Sequence, residues 1–292
     1  MGDWDRAQVV ERAPHLAAHG HEDVATVLVT VKAYPAIGKQ TGEAVCVAGV
    51  RLDREKPEWI RLFPVGFRAL PADKQFKKYQ VLKLKVLPAA SDRRPESPKP
   101  DLSSMRVGDV IPSASGWAHR QALMEPLIGA TTTCELLAGV RADAGAAPSL
   151  GLIKPRVSDL TVTVNPAYKA VDAGTVTTDL FGHETDLLEE SPVIAKFRYH
   201  CESRDCGGHQ QSLIDWESGQ LARRNRTRGA AEMLRLHRER FLDQLCAPDR
   251  DTHFYVGNMH QHPRDFLVLG LWSPPADVAG QATSAGALRL PR

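Results

Sequence analysis

The stretch VATVLVTV, Val24 to Val31, decides how the chain is built. β-branched residues dominate it, and neither glycine nor proline interrupts it. A run of this length and composition predicts a buried strand. Lys32 to Gly42 contains Pro35, Gly38 and Gly42 and reads as a loop. EAVCVAGVRL, Glu43 to Leu52, reads as a second strand, and EWIRLF, Glu58 to Phe63, as a third that ends at Pro64. In QVLKLKV, Leu82, Leu84 and Val86 alternate with Lys83 and Lys85. Period two predicts a half-buried strand with lysines on its outer face.

Further along, Ser91 to Asp101 is rich in proline and charge and reads as an irregular loop. MRVGDVI, from Met105, gives another short strand. Trp117 to Gly139 is helical on both sides of a break at Pro126. Strand patterns restart at LGLIKP and VSDLTVTV, and VIAKFRYH, Val193 to His200, is a further strand. Ser218 to Cys246 is the one long helical stretch, with Leu234, Phe241 and Leu245 on one face and Gly229 weakening its first half. FYVGN and FLVLGLW close the series.

Many short strands, few helices and Gly/Pro turns predict a mainly β protein with some α structure (α+β), arranged as barrel or sandwich units. Five-stranded barrels of this kind bind oligonucleotides on an open face. RADAGAAPS, Arg141 to Ser149, loses apolar periodicity and is the natural linker. The expected organisation is an extension over 1–23, a first β unit over 24–140, a linker over 141–149, a second β unit over 150–275, and a tail over 276–292.

At 292 residues and 42% apolar content, one large domain or two are expected. Five cysteines, an odd and unevenly spread set, argue against a secreted disulfide framework and for a reducing interior. The first twenty residues carry Asp3, Asp5, Arg6, Glu11 and Arg12, which excludes a secretory apolar region there. No apolar run approaches the roughly 18 residues of a membrane helix. The expectation is a cytoplasmic protein with no membrane partner. No Walker A loop and no dinucleotide fingerprint occur, so nucleotide-driven chemistry has no support.

The densest chemistry is YHCESRDCGGHQQSLIDWESGQL, Tyr199 to Leu221. Four residues separate Cys201 from Cys206, and His209 follows after Gly207 and Gly208. Thiolates plus imidazole are the ligand set of a structural zinc. A fourth ligand is missing locally, and Cys246, His253, His260 and His262 are the candidates. The alternative is two ordinary cysteines and a surface histidine. Asp215 and Glu217 flank Trp216. If LIDWE is extended, both carboxylates share one face. Such a pair can hold Mg²⁺ or Mn²⁺ for phosphodiester cleavage, or simply cap a helix.

The net charge of +2 hides local asymmetry. Residues 51–100 hold thirteen Lys/Arg against six Asp/Glu, which fits a nucleic-acid surface. Arg61, Arg68, Lys74, Lys77, Lys78, Lys83 and Lys85 are its candidate cations. Phe76 and Tyr79 are the candidate stacking platforms, against a plainer reading of such aromatics as barrel core. Arg223 and Arg224 begin a second basic block.

Taken in order, VLVTVKAYP, AGV…WIRLFPVGFR, FKKYQVLKLKV followed by RPES, CxxxxCGGH…IDWE and FYVGN…FLVLGLWSPP resemble bacterial proteins with a dual OB-containing domain. The resemblance covers roughly residues 24–275. It implies two OB-like β-barrel units, here with a zinc-knuckle-like insert. It also implies a place in nucleic-acid or conflict biology such as phage defence, with protein partners in a defence complex. It transfers no catalytic residue. The leading expectation is therefore a non-catalytic nucleic-acid-binding module with structural zinc. The alternatives are a metal-dependent nuclease on Asp215 and Glu217, or a protein-interaction subunit.

Overall fold

Val24 to Val31 lies at the centre of a six-stranded antiparallel sheet, and its unbroken apolar character has a direct cause. In the computed structural model, which describes residues 23–38, 42–89, 91–113, 117–170, 176–178, 184–186 and 189–280, strand β1 (Asp23–Lys32) is covered on both sides from Val27 onward, while Val24 near its start is exposed. Its neighbours are β3 (Gly42–Arg51) and β5 (Gln80–Leu87); β3 also pairs with β2 (Ala36–Gly38) and β4 (Glu58–Val65), and β5 with β6 (Lys99–Val110). One side of β1, Ala25, Val27 and Val29, packs with Val47, Ile60, Leu62, Leu82 and Leu84. The other side, Leu28 and Val31, packs with Leu150, Leu152, Tyr255, Leu269 and Trp272 from the second half of the chain. Each such Val, Leu or Ile side chain stabilises the fold by about 1.5–3 kcal/mol on burial.

The sheet does not close into a barrel. The Arg61 amide donates to the Glu96 carbonyl at 2.7 Å, but among the described residues no ladder joins β4 to β6. The expected OB-like β-barrel units are thus corrected to sheets that stay open. Pro64 does not end β4, which runs on to Val65, and β6 is longer than its apolar part, taking in the last residues of the charged loop.

The second half holds two three-stranded sheets. One is ordered β14 (Phe266–Trp272), β13 (His253–Asn258), β7 (Leu150–Ile153). The other is ordered β12 (His209–Ser212), β11 (Val193–His200), β8 (Arg156–Val164). They meet where the Ile214 amide donates to the Val268 carbonyl at 2.9 Å. Short strands β9 (Val176–Thr178) and β10 (Glu184–Asp186) pair with each other. Phe197, Tyr199, Phe254, Val256 and Val268 form the core, closed by Leu136 and Val140.

Helices are four and short among the described residues: α1 (Trp117–Met124), α2 (Thr133–Ala142), α3 (Trp216–Asn225) and α4 (Ala230–Arg238). The single long helix expected over 218–246 is broken. Gly229 sits at φ 88° between α3 and α4, a left-handed conformation that favours glycine. The chain then widens into a π-helical turn over Glu239–Gln244. No helix of the described residues is long and apolar enough to cross a membrane.

The 141–149 segment is stitched down. Asp143 Oδ1 accepts from the Gly145 amide at 2.8 Å, and Ala147 and Ser149 are buried. Arg61 Nη2 donates to Ser149 Oγ at 2.8 Å, tying the first sheet to the second half. The expected extension, all but its last residue, and most of the tail lie outside the described residues.

Candidate metal centre

β11 ends at His200 and delivers Cys201 into the core. The loop turns back through Gly208, at φ 93°, and His209 opens β12 opposite Tyr199. These three residues converge as their spacing predicts. The fourth member is Cys134, the second residue of α2. Thr132 caps that helix and completes a capping box with Glu135, which fixes where the first turn points.

The four donor atoms all lie within 4.8 Å of one another. Cys134 Sγ is 3.6 Å from Cys201 Sγ. His209 Nε2 is 3.2 Å from Cys206 Sγ, 3.4 Å from Cys201 Sγ and 3.5 Å from Cys134 Sγ. Tetrahedral bonds of about 2.3 Å to sulfur and 2.0–2.1 Å to nitrogen imply donor separations of about 3.5–3.8 Å. The cluster has this size, so the donor set fits a metal ion. Burial holds the His209 imidazole below its usual range, which keeps it neutral with a lone pair to give. Burial, reinforced by the neighbouring Cys201 and Cys206 sulfurs, pushes the Cys134 thiol up to about 12. A cation among the sulfurs would reverse that penalty.

Behind the cluster, the Tyr199 hydroxyl donates to Gln211 Oε1 at 2.8 Å and lies 2.8 Å from Thr133 Oγ1. The Tyr199 ring lies against His209, centroids 5.2 Å apart. The other proposed fourth ligands are engaged elsewhere. Cys246 Sγ donates to the Phe241 carbonyl, and His253 Nδ1 faces the Asp251 carbonyl. His260 sits beside Asp92, and His262 is exposed in a turn. Cys134 lies too far back in the chain for local spacing to reveal it. The available signal was a cysteine immediately inside a capping box.

Asp215 and Glu217 do meet, but through a helix start and not a strand. Asp215 is the N-cap of α3 and accepts from the Glu217 amide at 3.2 Å. Lys78 Nζ lies 3.0 Å from Asp215 Oδ2 and 3.5 Å from Glu217 Oε2. Burial works against the Lys78 ammonium, but the two carboxylates outweigh it and hold it above the usual lysine range. Trp216 packs edge-on against Phe67 and at a tilt against Tyr34. Lys32 sits in the same junction with its ammonium 4.0 Å above the Phe67 ring and 3.1 Å from the Phe76 carbonyl.

Several candidate nucleic-acid contacts prove to be internal. Phe76 is 2% exposed and Tyr79 8%, so neither ring offers a face to a base. Arg61 and Lys78 are consumed by the junction. Lys74 donates to the Ser103 carbonyl at 3.0 Å, and Arg223 pairs with buried Glu189 at 2.9 Å. Lys77, Lys83 and Arg224 are exposed, and Arg68 and Lys85 half-exposed. Phe76 packs into the core of the first sheet and Tyr79 into the core shared with the second half.

Residues 129–290 match the domain of unknown function DUF8757, more than half of the 292-residue chain. The chain belongs to the DUF8757 family. In this DUF8757 protein the preceding residues, 23–126, match a second domain of unknown function, DUF8758. The division between the two matches falls before α2, so the 141–149 segment lies inside the DUF8757 half. None of the curated proteins matches the sequence. Among the solved structures that are distantly similar are two at 9% identity. One, described as "Molecular basis for abrogation of activation of pro-inflammatory cytokines", is covered over 77% of its chain by 67% of this one, with a TM-score of 0.28. The other, "Structure of murine DNA binding protein bound with ds DNA", is covered over 96% by 87% of this chain, with a TM-score of 0.30. Similarity at these scores carries no weight for fold or function.

Proposed function

We propose that this DUF8757 protein binds nucleic acid through its backbone phosphates and is held in shape by a structural zinc. The observation that carries the first part is a cross-strand pair of cations. Lys83 on β5 stands directly opposite Arg106 on β6, both exposed. Among the described residues neither has an acidic partner. Like charges directly opposite destabilise a sheet, and a polyanion would relieve that cost. Thr26 continues the row on β1.

Zinc is the metal that three thiolates and one imidazole suit, and a site filled by four protein ligands leaves no open position for substrate. That favours a structural role. Three thiols that must stay reduced to act as ligands also fit the reducing interior of a cytoplasmic protein. A role in phage defence rests on the sequence resemblance alone.

The nuclease reading gains one observation: Lys78 stands beside Asp215 and Glu217, a lysine that local spacing did not supply. It loses more. Both Asp215 oxygens are already engaged by Lys78 and the helix amide, and the side chain is 2% exposed. A catalytic Mg²⁺ would have to displace Lys78 from a buried ion pair.

The test is oligonucleotide binding by the purified protein across a salt series, together with elemental analysis. Affinity should fall steeply with salt as counterions are released, and zinc should be present at about one equivalent. Salt-independent binding, or none at low salt, would sink the nucleic-acid reading.

A further inference from the structure

The solvent face of the β8–β11–β12 sheet carries a second row of cations. Along β11, Ala195, Phe197 and Tyr199 are buried, while Lys196, Arg198 and His200 alternate with them and are exposed. Successive members are two residues apart on one face, a stride of about 6.7 Å. The register defines what flanks them. Lys196 stands between Thr161 of β8 and Ser212 of β12. Arg198 stands between Asp159 and Gln210, and His200 is opposite Arg156.

Asp159 is the single acidic residue among these register partners, and it is already engaged. Arg238 of α4 reaches its Oδ1 at 2.9 Å, and Thr161 Oγ1 donates to its Oδ2 at 3.2 Å. Among the described residues no carboxylate pairs with Lys196 or Arg198. Their neighbours are short hydrogen-bonding side chains. Three fixed positive charges, Lys196, Arg198 and Arg156, lie along one strand pair with His200 beside them, an arrangement suited to a repeating anion. Half-buried Ile194 is the one apolar residue on this face of β11, and the otherwise polar flanks favour a phosphodiester backbone over a lipid surface, which would call for several apolar side chains beside the cations.

The metal centre sits at the end of this row. Cys201 follows His200 directly, and His209 pairs with Tyr199 across β11 and β12. A metal bound there pins both strands where the row terminates.

We infer that the β8–β11–β12 face is a second binding surface for a nucleic-acid strand, with Lys196 and Arg198 on its phosphates and the metal centre setting its shape. This rests on the nucleic-acid reading above. The strand lies along β11, and the short polar side chains of Thr161, Ser212 and Gln210 hydrogen-bond the backbone without reading base sequence.

The experiment is fluorescence anisotropy of a labelled oligothymidylate with the full-length, metal-loaded protein over a salt series. The variants are Lys196→Glu/Arg198→Glu, the milder Lys196→Gln/Arg198→Gln, and Lys83→Glu/Arg106→Glu, each with a melting curve. The two changes at 196 and 198 should weaken binding at least about tenfold and flatten the log–log salt slope by about 1.4, because two phosphates of a single strand are no longer neutralised. The milder variant should move the same way, with its melt unchanged. Wild-type affinity in both 196/198 variants, with affinity abolished in the 83/106 variant, would overturn this inference and leave the wider reading standing. No oligonucleotide binding by the wild type would overturn both. Binding to phosphatidylserine vesicles but not to the oligonucleotide, abolished by the 196/198 changes, would assign the face to a membrane surface and overturn the inference.

Discussion

Lys78 Nζ and Asp215 Oδ2 are 3.0 Å apart, with side-chain exposures of 7% and 2%, and they come from the two different matched halves of the chain. The pair is therefore a joint between the halves, and its Asp215 is also the N-cap of α3. A second joint lies close by, where the Tyr34 amide donates to the Ile214 carbonyl at 2.6 Å. Together with the shared apolar core around Leu28, Leu152, Tyr255 and Trp272, these interactions seat the first sheet against the second half.

Removing one partner of that buried pair strands the other. Lys78→Met and Asp215→Asn should each cost about 3–5 kcal/mol in urea unfolding. The double change Lys78→Met/Asp215→Asn should cost clearly less than the sum of the two single losses, because it leaves no uncompensated buried charge and keeps a side chain that can cap α3. Full additivity of the single losses would show that the two side chains act independently.

The metal should be a folding element. Elemental analysis should find one zinc, and chelation should lower the melting temperature. Cys134→Ser should reduce zinc content as much as Cys201→Ser does. Cys246→Ser, at a thiol that donates to the Phe241 carbonyl instead, should leave it unchanged. Full zinc occupancy in Cys134→Ser would remove that residue from the ligand set.

The legible parts of the chain were those governed by nearest neighbours. Period two in Leu82, Leu84 and Val86 placed β5 and its outer lysines. The Cys201, Cys206 and His209 spacing placed three of the four candidate ligands. Cys134 was hidden because its partners are brought to it by β11 packing under α2, an arrangement without a local pattern. Phe76, Lys78 and Tyr79 looked like a binding surface because lysine and aromatics interleave there. Their inward course depends on Tyr79 at φ 61° and on Asp215, far along the chain, receiving Lys78. Gly229 was visible as a weak point in a helix, but that the chain restarts there as α4 follows from its φ of 88°.

His237 gives the fold a pH dependence. It is fully buried, its Nε2 lies 3.1 Å from Ser218 Oγ, and its Nδ1 has no partner among the described residues. Burial lowers its pKa to about 4. Between that value and about 6.5, the unfolded chain binds a proton that the folded chain refuses. Stability then falls as pH drops through that window, by up to about 1.4 kcal/mol per pH unit, and the contribution is intact above it. His237→Phe should flatten the pH profile of the melting temperature between about pH 4 and 6.5, relative to wild type. An unchanged slope would show that His237 is not the group responsible.

The Lys83 and Arg106 pair yields the final prediction. The two side chains face solvent across β5 and β6, so replacing them leaves the core formed by Leu82, Leu84 and Met105 intact. Reversing both charges should leave the melting curve within about 0.5 kcal/mol of wild type, the usual range for surface changes, and relief of the like-charge repulsion through a single change can raise it slightly. Binding should weaken to all oligonucleotide sequences alike, because phosphate contacts carry no base information. The salt slope should fall by about 0.7–0.9 for each phosphate that the variant no longer neutralises. A weakening confined to some sequences would point to base recognition at this face. An unaltered salt slope with lower affinity would show that the two cations act through folding and not through phosphate.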